Sequence, residues 1–144
     1  MSNISATLKL FLNLNMVQTV LSRKFDSRLS NHGISLNDFM ILYHLAEAPE
    51  EKLRRIDLAE KIGLTASGVT RMLVPLEKTG LVRREVNSRD ARVSYVKLAP
   101  GGKRILAEGM TSAEAVSEQI TGNLKSKKLE DLARLLIELG GTIQ

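Results

Sequence analysis

Residues 55–98 read RIDLAEKIGLTASGVTRMLVPLEKTGLVRREVNSRDARVSYVKL, a pattern of two short helices joined by a tight turn and followed by a two-stranded ribbon. The first helix spans about Arg55 to Ile62, with Ile56, Ala59 and Ile62 inward and Gly63 making the turn. Thr65 suits the N-cap of the second helix, along which Val69, Met72, Leu73 and Leu76 recur at i, i+3, i+4 and i+7. Ser67, Thr70, Arg71 and Lys78 are left facing outward. Pro75 removes one helical hydrogen bond and crowds the carbonyl of Arg71, so a kink or a loosened last turn is expected there. Gly80 ends the helix, and two β-like runs, Leu81–Val86 and Arg92–Leu98, flank a loop of turn formers, Asn87–Ala91.

That order of elements is what a chain needs to place one helix in a DNA major groove with a basic ribbon beside it. The charge distribution agrees. Between Lys52 and Arg104 stand 13 Lys and Arg against 5 Asp and Glu, while the whole chain carries only +5. The cations therefore belong to this module, and a pI near 9.7 fits a phosphate-binding surface. Ser67 and Thr70 offer small hydrogen-bonding groups to phosphates or base edges, and Arg71 reaches a guanine or a phosphate. The positive end of the helix dipole at Thr65 to Ser67 adds an anion site. Arg83, Arg84, Arg89 and Arg92 concentrate charge on the ribbon. The competing reading of the same surface is a protein interaction module that docks an acidic partner without reading DNA sequence.

Outside this unit the chain reads as helices. Leu10, Leu14, Val17, Leu21, Phe25 and Leu29 recur at steps of three or four, and Leu8, Phe11, Leu12 and Val20 widen that stripe beyond what one packing surface requires. Asn31 and Gly33 stop this helix. Ser35 with Asp38 forms a capping box for the next, whose buried face is Phe39, Leu42, Tyr43 and Leu45 or Ala46, closed off by Pro49. Pro100 opens a further helix at a position where its missing amide costs nothing. Leu106, Met110, Ala113, Val116 or Ser117, Ile120 and Leu124 form its inner face, with low bulk at Gly109 and Ala113. A last helix follows Ser126, carrying Leu129, Leu132, Leu136 and Leu139 at the period of a helix seam and ending at Gly140 and Gly141. The first stripe and the last seam lack enough partners in a single copy.

Composition removes several classes of function. With no cysteine, disulfides, Cys-ligated zinc and thiol redox sensing are excluded. Aromatics are 3% and tryptophan is absent, which argues against a single-strand-binding surface of stacked rings. Two histidines, His32 and His44, do not build a metal site by themselves. No nucleophile stands with a base and no glycine loop cradles a phosphate, so neither catalysis nor a cofactor is expected. Residues 1–22 lack the basic start and small-residue cleavage pattern of an export signal, and the expectation is a cytoplasmic protein without a membrane span.

The series Leu58-Ala59, Gly63-Leu64-Thr65, Val69-Thr70-Arg71, Leu76-Glu77-Lys78 and Gly80-Leu81-Val82, followed by Asp90, Arg92 and Leu98, resembles the winged helix-turn-helix of the MarR (multiple antibiotic resistance regulator) family. The resemblance extends over essentially the whole chain. It implies a mainly α fold with a small β-wing, made of a winged helix-turn-helix plus a helical dimerisation lobe: 1–34 as an N-terminal dimerisation helix, 35–99 as the DNA-binding unit and 100–144 as C-terminal dimerisation helices. It implies that Arg92 enters the minor groove while Asp90 holds it. The DNA-contacting set is then Thr65, Ser67, Thr70, Arg71, Arg89, Asp90 and Arg92. A homodimer through Leu10, Leu14, Val17, Leu132, Leu136 and Leu139 is implied, on a pseudo-palindromic site of double-stranded DNA with half-sites about 34–36 Å apart. So is a ligand-responsive repressor with a small aromatic or phenolic effector between lobe and winged unit, for which Phe11, Phe39, Tyr43 and His44 are the candidates. The chain departs from the family pattern at Ala91, where a second arginine is frequent, at Asn87-Ser88 in place of Asp-Pro, and at Ala99 in place of a capping threonine.

Overall fold

The computed structural model describes residues 3–144. Helix α1 covers Ala6–Leu29 and α2 Leu36–Glu47. A two-residue strand β1, Lys52–Leu53, precedes α3, Arg55–Ile62, and α4, Ala66–Lys78. Strands β2, Val82–Val86, and β3, Ser94–Leu98, lead into α5, Pro100–Thr121, and α6, Ser126–Glu138. None of the described helices is long and apolar enough to cross a membrane.

The core is built where α2, α3, α4 and the sheet meet. Leu42, Leu45 and Leu58 join Val69, Leu73, Val82 and Val96 there, all buried. Ile41, absent from the face expected of α2, is also fully buried. The capping box that starts α2 is present: Asp38 N donates to Ser35 Oγ at 3.0 Å and Ser35 N to Asp38 Oδ2 at 2.9 Å. Ile56 corrects the expectation for α3, being 67% exposed. Leu58, Ala59 and Ile62 define the inward stripe of this helix, and at 3.6 residues per turn Ile56 stands roughly a third of a turn off its centre.

The sheet has three strands, not two, in the order β1-β3-β2, all antiparallel. The short strand β1 pairs Lys52 with Lys97 and Leu53 with Val96. It follows an unusual turn in which Glu50 and Glu51 both have φ of 57°. Three lysines brace that turn: Lys97 Nζ donates to Glu50 O at 2.9 Å, Lys103 pairs with Glu51 at 2.8 Å and Lys52 with Glu50 at 3.5 Å.

Two further features position the winged unit. Helix α4 runs unbroken through Pro75 to Lys78, and the Thr79 hydroxyl donates to Pro75 O at 2.9 Å. The start of α5 lies directly on the residue before β2. Ala99 N donates to Leu81 O at 3.1 Å, and a Cβ on Gly102 would stand 2.1 Å from the same oxygen. Only glycine permits that approach. Farther along α5, a Cβ on Gly109 would meet Leu29, Ile34 and Phe39 at 3.5 Å, which is the close neighbour that low bulk there anticipates.

Helices α1 and α6 are the least covered elements. Leu29 is the only buried residue of α1 and α6 has none among the described residues.

Candidate nucleic-acid interface

Helix α4 presents its N-terminus through a small hydroxyl network. Thr65, in extended conformation, caps the helix by accepting from Gly68 N at 3.1 Å, and its Oγ1 lies 3.2 Å from Ser67 Oγ. Thr65, Ser67 and Arg71 are exposed, so their polar groups remain open to a ligand. Thr70 is half-buried, and its hydroxyl donates to Ala66 O at 3.0 Å. Back-bonding of this kind occupies the proton a threonine would give to a phosphate, leaving only its lone pairs outward.

The wing tip is built by two side chains turning back on their own backbone. Asn87 Oδ1 accepts from Arg89 N at 2.8 Å and Asp90 N at 3.3 Å, an Asx turn that serves where the family pattern has Asp-Pro. Asp90 then takes three donors from Arg92: the backbone amide at 3.0 Å, Nε at 3.1 Å and a terminal guanidinium nitrogen at 3.3 Å. Val93 N is also spent on Asp90 O at 3.0 Å. With those two amides turned to Asp90, the ladder cannot begin at Arg92 as the sequence suggested, and β3 starts at Ser94. The joining loop is therefore Asn87 to Val93.

This arrangement fixes the Arg92 guanidinium while leaving its side chain 91% exposed. The side-chain bonds from Arg92, and then its amide, hold the Asp90 carboxyl below the usual carboxylate range. Arg54, just before α3, adds to that pull. Sequence reading passed over Arg54, which comes near the wing only because β1 pairs with β3. Arg89 is exposed on the same tip. Arg83 and Arg84 do not form one surface with it: Arg83 registers with Lys97 and Arg84 with Val96, so the two point to opposite faces. On the Arg83 face, Lys52 pairs with Glu85 at 3.0 Å, lowering the pKa of that carboxyl, and lies 4.8 Å from the Tyr95 ring centre.

The other expected residues separate into two groups. Leu10, Leu14 and Val17 on α1, with Leu132, Leu136 and Leu139 around α6, are 39–50% exposed. Phe11 is exposed on α1 as well, whereas Phe39 packs against the core. Tyr43 and His44 meet edge to face at 5.4 Å between ring centres and share a cleft with Lys61 and the residues after α6. The four aromatic candidates thus do not assemble into one pocket in a single copy.

A sequence model described as the MarR family matches residues 32–93, which span the end of the first helical region, the helix-turn-helix and the wing tip. The chain is 28% identical over 104 residues to the transcriptional regulator HosA of Escherichia coli O157:H7, covering 72% of this chain and 76% of that protein. It is 24% identical over 139 residues to the HTH-type transcriptional repressor YetL of Bacillus subtilis, covering 96% and 83%. Among solved structures, a mutant MarR from E. coli complexed with operator DNA superposes with a TM-score of 0.85 at 25% identity, covering 96% of this chain and 99% of that one. Sequence signature over residues 32–93 and fold over the whole length therefore agree: the chain carries a winged helix-turn-helix that matches the MarR family model, and over nearly its whole length it is similar to DNA-binding transcriptional regulators of that family.

Proposed function

We propose that two copies of this chain bind a pseudo-palindromic operator as a sequence-specific repressor, each inserting α4 into the major groove and Arg92 into the flanking minor groove. The observation that carries this reading is the Asp90 clamp, which spends three hydrogen bonds to hold a nearly fully exposed guanidinium at the wing tip. A narrow, electronegative minor groove favours such a group. Thr65, Ser67 and Arg71 lie open on α4 for phosphates and base edges, with Thr70 contributing through its acceptor lone pairs, and Arg89 reaches the backbone beside the wing.

The exposed apolar residues of α1 and α6 are the dimer surface in this reading. Residues 1–34 and 100–144 form the dimerisation lobe and 35–99 the reading head. Repression follows the name of YetL, and operator binding follows the MarR complex. A small effector bound between head and lobe sets the DNA affinity.

Selection of DNA from a random pool, followed by footprinting of the enriched sequence, tests the reading. The expected result is an inverted repeat with half-site centres one helical turn apart, about 34–36 Å. An interaction module with no taste for sequence would enrich nothing, and that outcome would overturn the proposal.

A further inference from the structure

Arg54 sits where the wing meets the start of α3. Strand β1 lies beside β3 with Leu53 opposite Val96, and Arg54 continues in extended backbone, φ −68° and ψ 151°, before the helix begins. An antiparallel pairing carried one step further sets Arg54 opposite Tyr95. Asn87 Nδ2 donates to the Tyr95 hydroxyl at 3.4 Å, and Asn87 Oδ1 shapes the turn that ends at Asp90. The pairing thus carries Arg54 to the root of the wing, close enough that its charge adds to the pull of Arg92 on the Asp90 carboxyl.

The cations around it are spent. Lys52 pairs with Glu85 at 3.0 Å, Lys97 donates to Glu50 O at 2.9 Å, and Arg55 reaches Glu77 on α4 at 3.7 Å. Arg54 is exposed and forms no salt bridge among the described residues. The clamp beside it is electrically incomplete. The Asp90 carboxyl, held low first by the side-chain bonds from Arg92, is ionised at neutral pH, so Asp90 and Arg92 together carry no net charge. A neutral pair adds little to the counterion release that dominates binding to DNA, and its carboxylate is repelled by the phosphates on either side of a groove. A free guanidinium at the root of the wing offsets that carboxylate.

We propose that Arg54 contacts DNA directly, binding a phosphate of the strand that separates the major groove under α4 from the minor groove under the wing. The placement follows from two arginines adjacent in sequence. Arg55 ties the start of α3 to α4 through Glu77, and Arg54 comes near the wing at Asp90. A strand passing between reading helix and wing runs beneath that junction. Arginine suits the task, since its planar fork gives two parallel hydrogen bonds to phosphate oxygens. Such a contact positions the head and carries no sequence information. The inference rests on the docking proposed above, with α4 and Arg92 in neighbouring grooves.

Anisotropy titrations of the full chain over a series of salt concentrations, on the selected operator and on a scrambled duplex, test it. Arg54→Gln should flatten the slope of log affinity against log salt by about 0.9 per subunit and weaken both duplexes by the same factor. Arg54→Lys should keep the slope, because the charge stays. In the Arg92→Ala background the effect of Arg54→Gln should persist, as a direct phosphate contact requires. An unchanged slope in Arg54→Gln, a loss confined to the operator, or an effect that vanishes once Arg92 is gone would each overturn the inference; the last would make Arg54 a positioning residue for Arg92. The two readings fail separately. If Arg92→Ala weakens the operator and Arg54→Gln leaves the slope alone, the docking stands and Arg54 has no part in it. If Arg92→Ala costs nothing while Arg54→Gln flattens the slope, the phosphate contact stands and the minor-groove insertion falls.

Discussion

At the scale of single residues, Arg92 and Asp90 make unequal contributions to the proposed minor-groove contact. Arg92→Ala removes the group offered to the minor groove and is expected to weaken operator binding by about 1–3 kcal/mol, read by fluorescence anisotropy at fixed salt. Asp90→Asn leaves the arginine but loosens its hold, so the loss should be smaller and the wing more mobile. Because the Asp90 carboxyl lies below the usual carboxylate range, the pair is complete above that range and is lost only as pH falls through the depressed value. The wing contribution to affinity should accordingly be flat around neutral pH. His44 behaves otherwise. Its folded pKa is depressed, so below about 6.5 the unfolded chain takes up a proton that the folded chain resists. Stability is full above that range and declines as pH falls through it; calorimetric melts should show this acid slope and a shallower one in His44→Leu. The Asp90–Arg92 relation was legible because its two members are two residues apart. Arg54 was not, since its approach to Asp90 depends on a strand pairing more than forty residues long in sequence separation. Ile56 was misplaced for a different reason: in a helix of two turns, one position decides the stripe, while the back-bond of the Thr70 hydroxyl to Ala66 O is a choice of rotamer that periodicity does not read.

Among the elements, the junction of β2 with α5 is the most constrained. Gly102→Ala forces a methyl group into the Leu81 carbonyl and should cost about 1–3 kcal/mol or more, measured by urea unfolding. The turn before β1 predicts the reverse sign. Glu50 holds the left-handed conformation at a cost of about 1–2 kcal/mol for a side-chain-bearing residue, and its ion pair with Lys52 is largely exposed. Glu50→Gly should therefore raise stability in the same experiment. The long helices, the caps at Ser35 and Thr65 and the turn at Gly63 could be read from periodicity and local hydrogen-bonding chemistry. Strand β1 could not. Two residues carry no period, and their strand character comes wholly from β3 beside them.

For the whole molecule, the proposed dimer is the reading with the widest consequences. Light scattering at micromolar concentration should give twice the mass of one chain, about 32 kDa from a 15.9 kDa subunit; a monomeric mass would contradict it. The helical stripes on α1 and α6 announced an unfilled need for partners, and the exposure of Leu10, Leu14, Val17, Leu132 and Leu139 in one copy is consistent with that need. What periodicity left open was where the end of the chain goes. Leu136 lies on the seam by period, yet it also lines the cleft with His44, because the residues after α6 return to the end of α3. The backbone contact at Gly102 bears on how such a dimer measures DNA. With α5 seated on the Leu81 carbonyl, the proposed dimer would carry its two heads on stiff stems, and the distance between them would act as a gauge. An operator lengthened by one base pair, about 3.4 Å, must then be bent or twisted to fit, so spacing would be discriminated as strictly as any letter of the half-site.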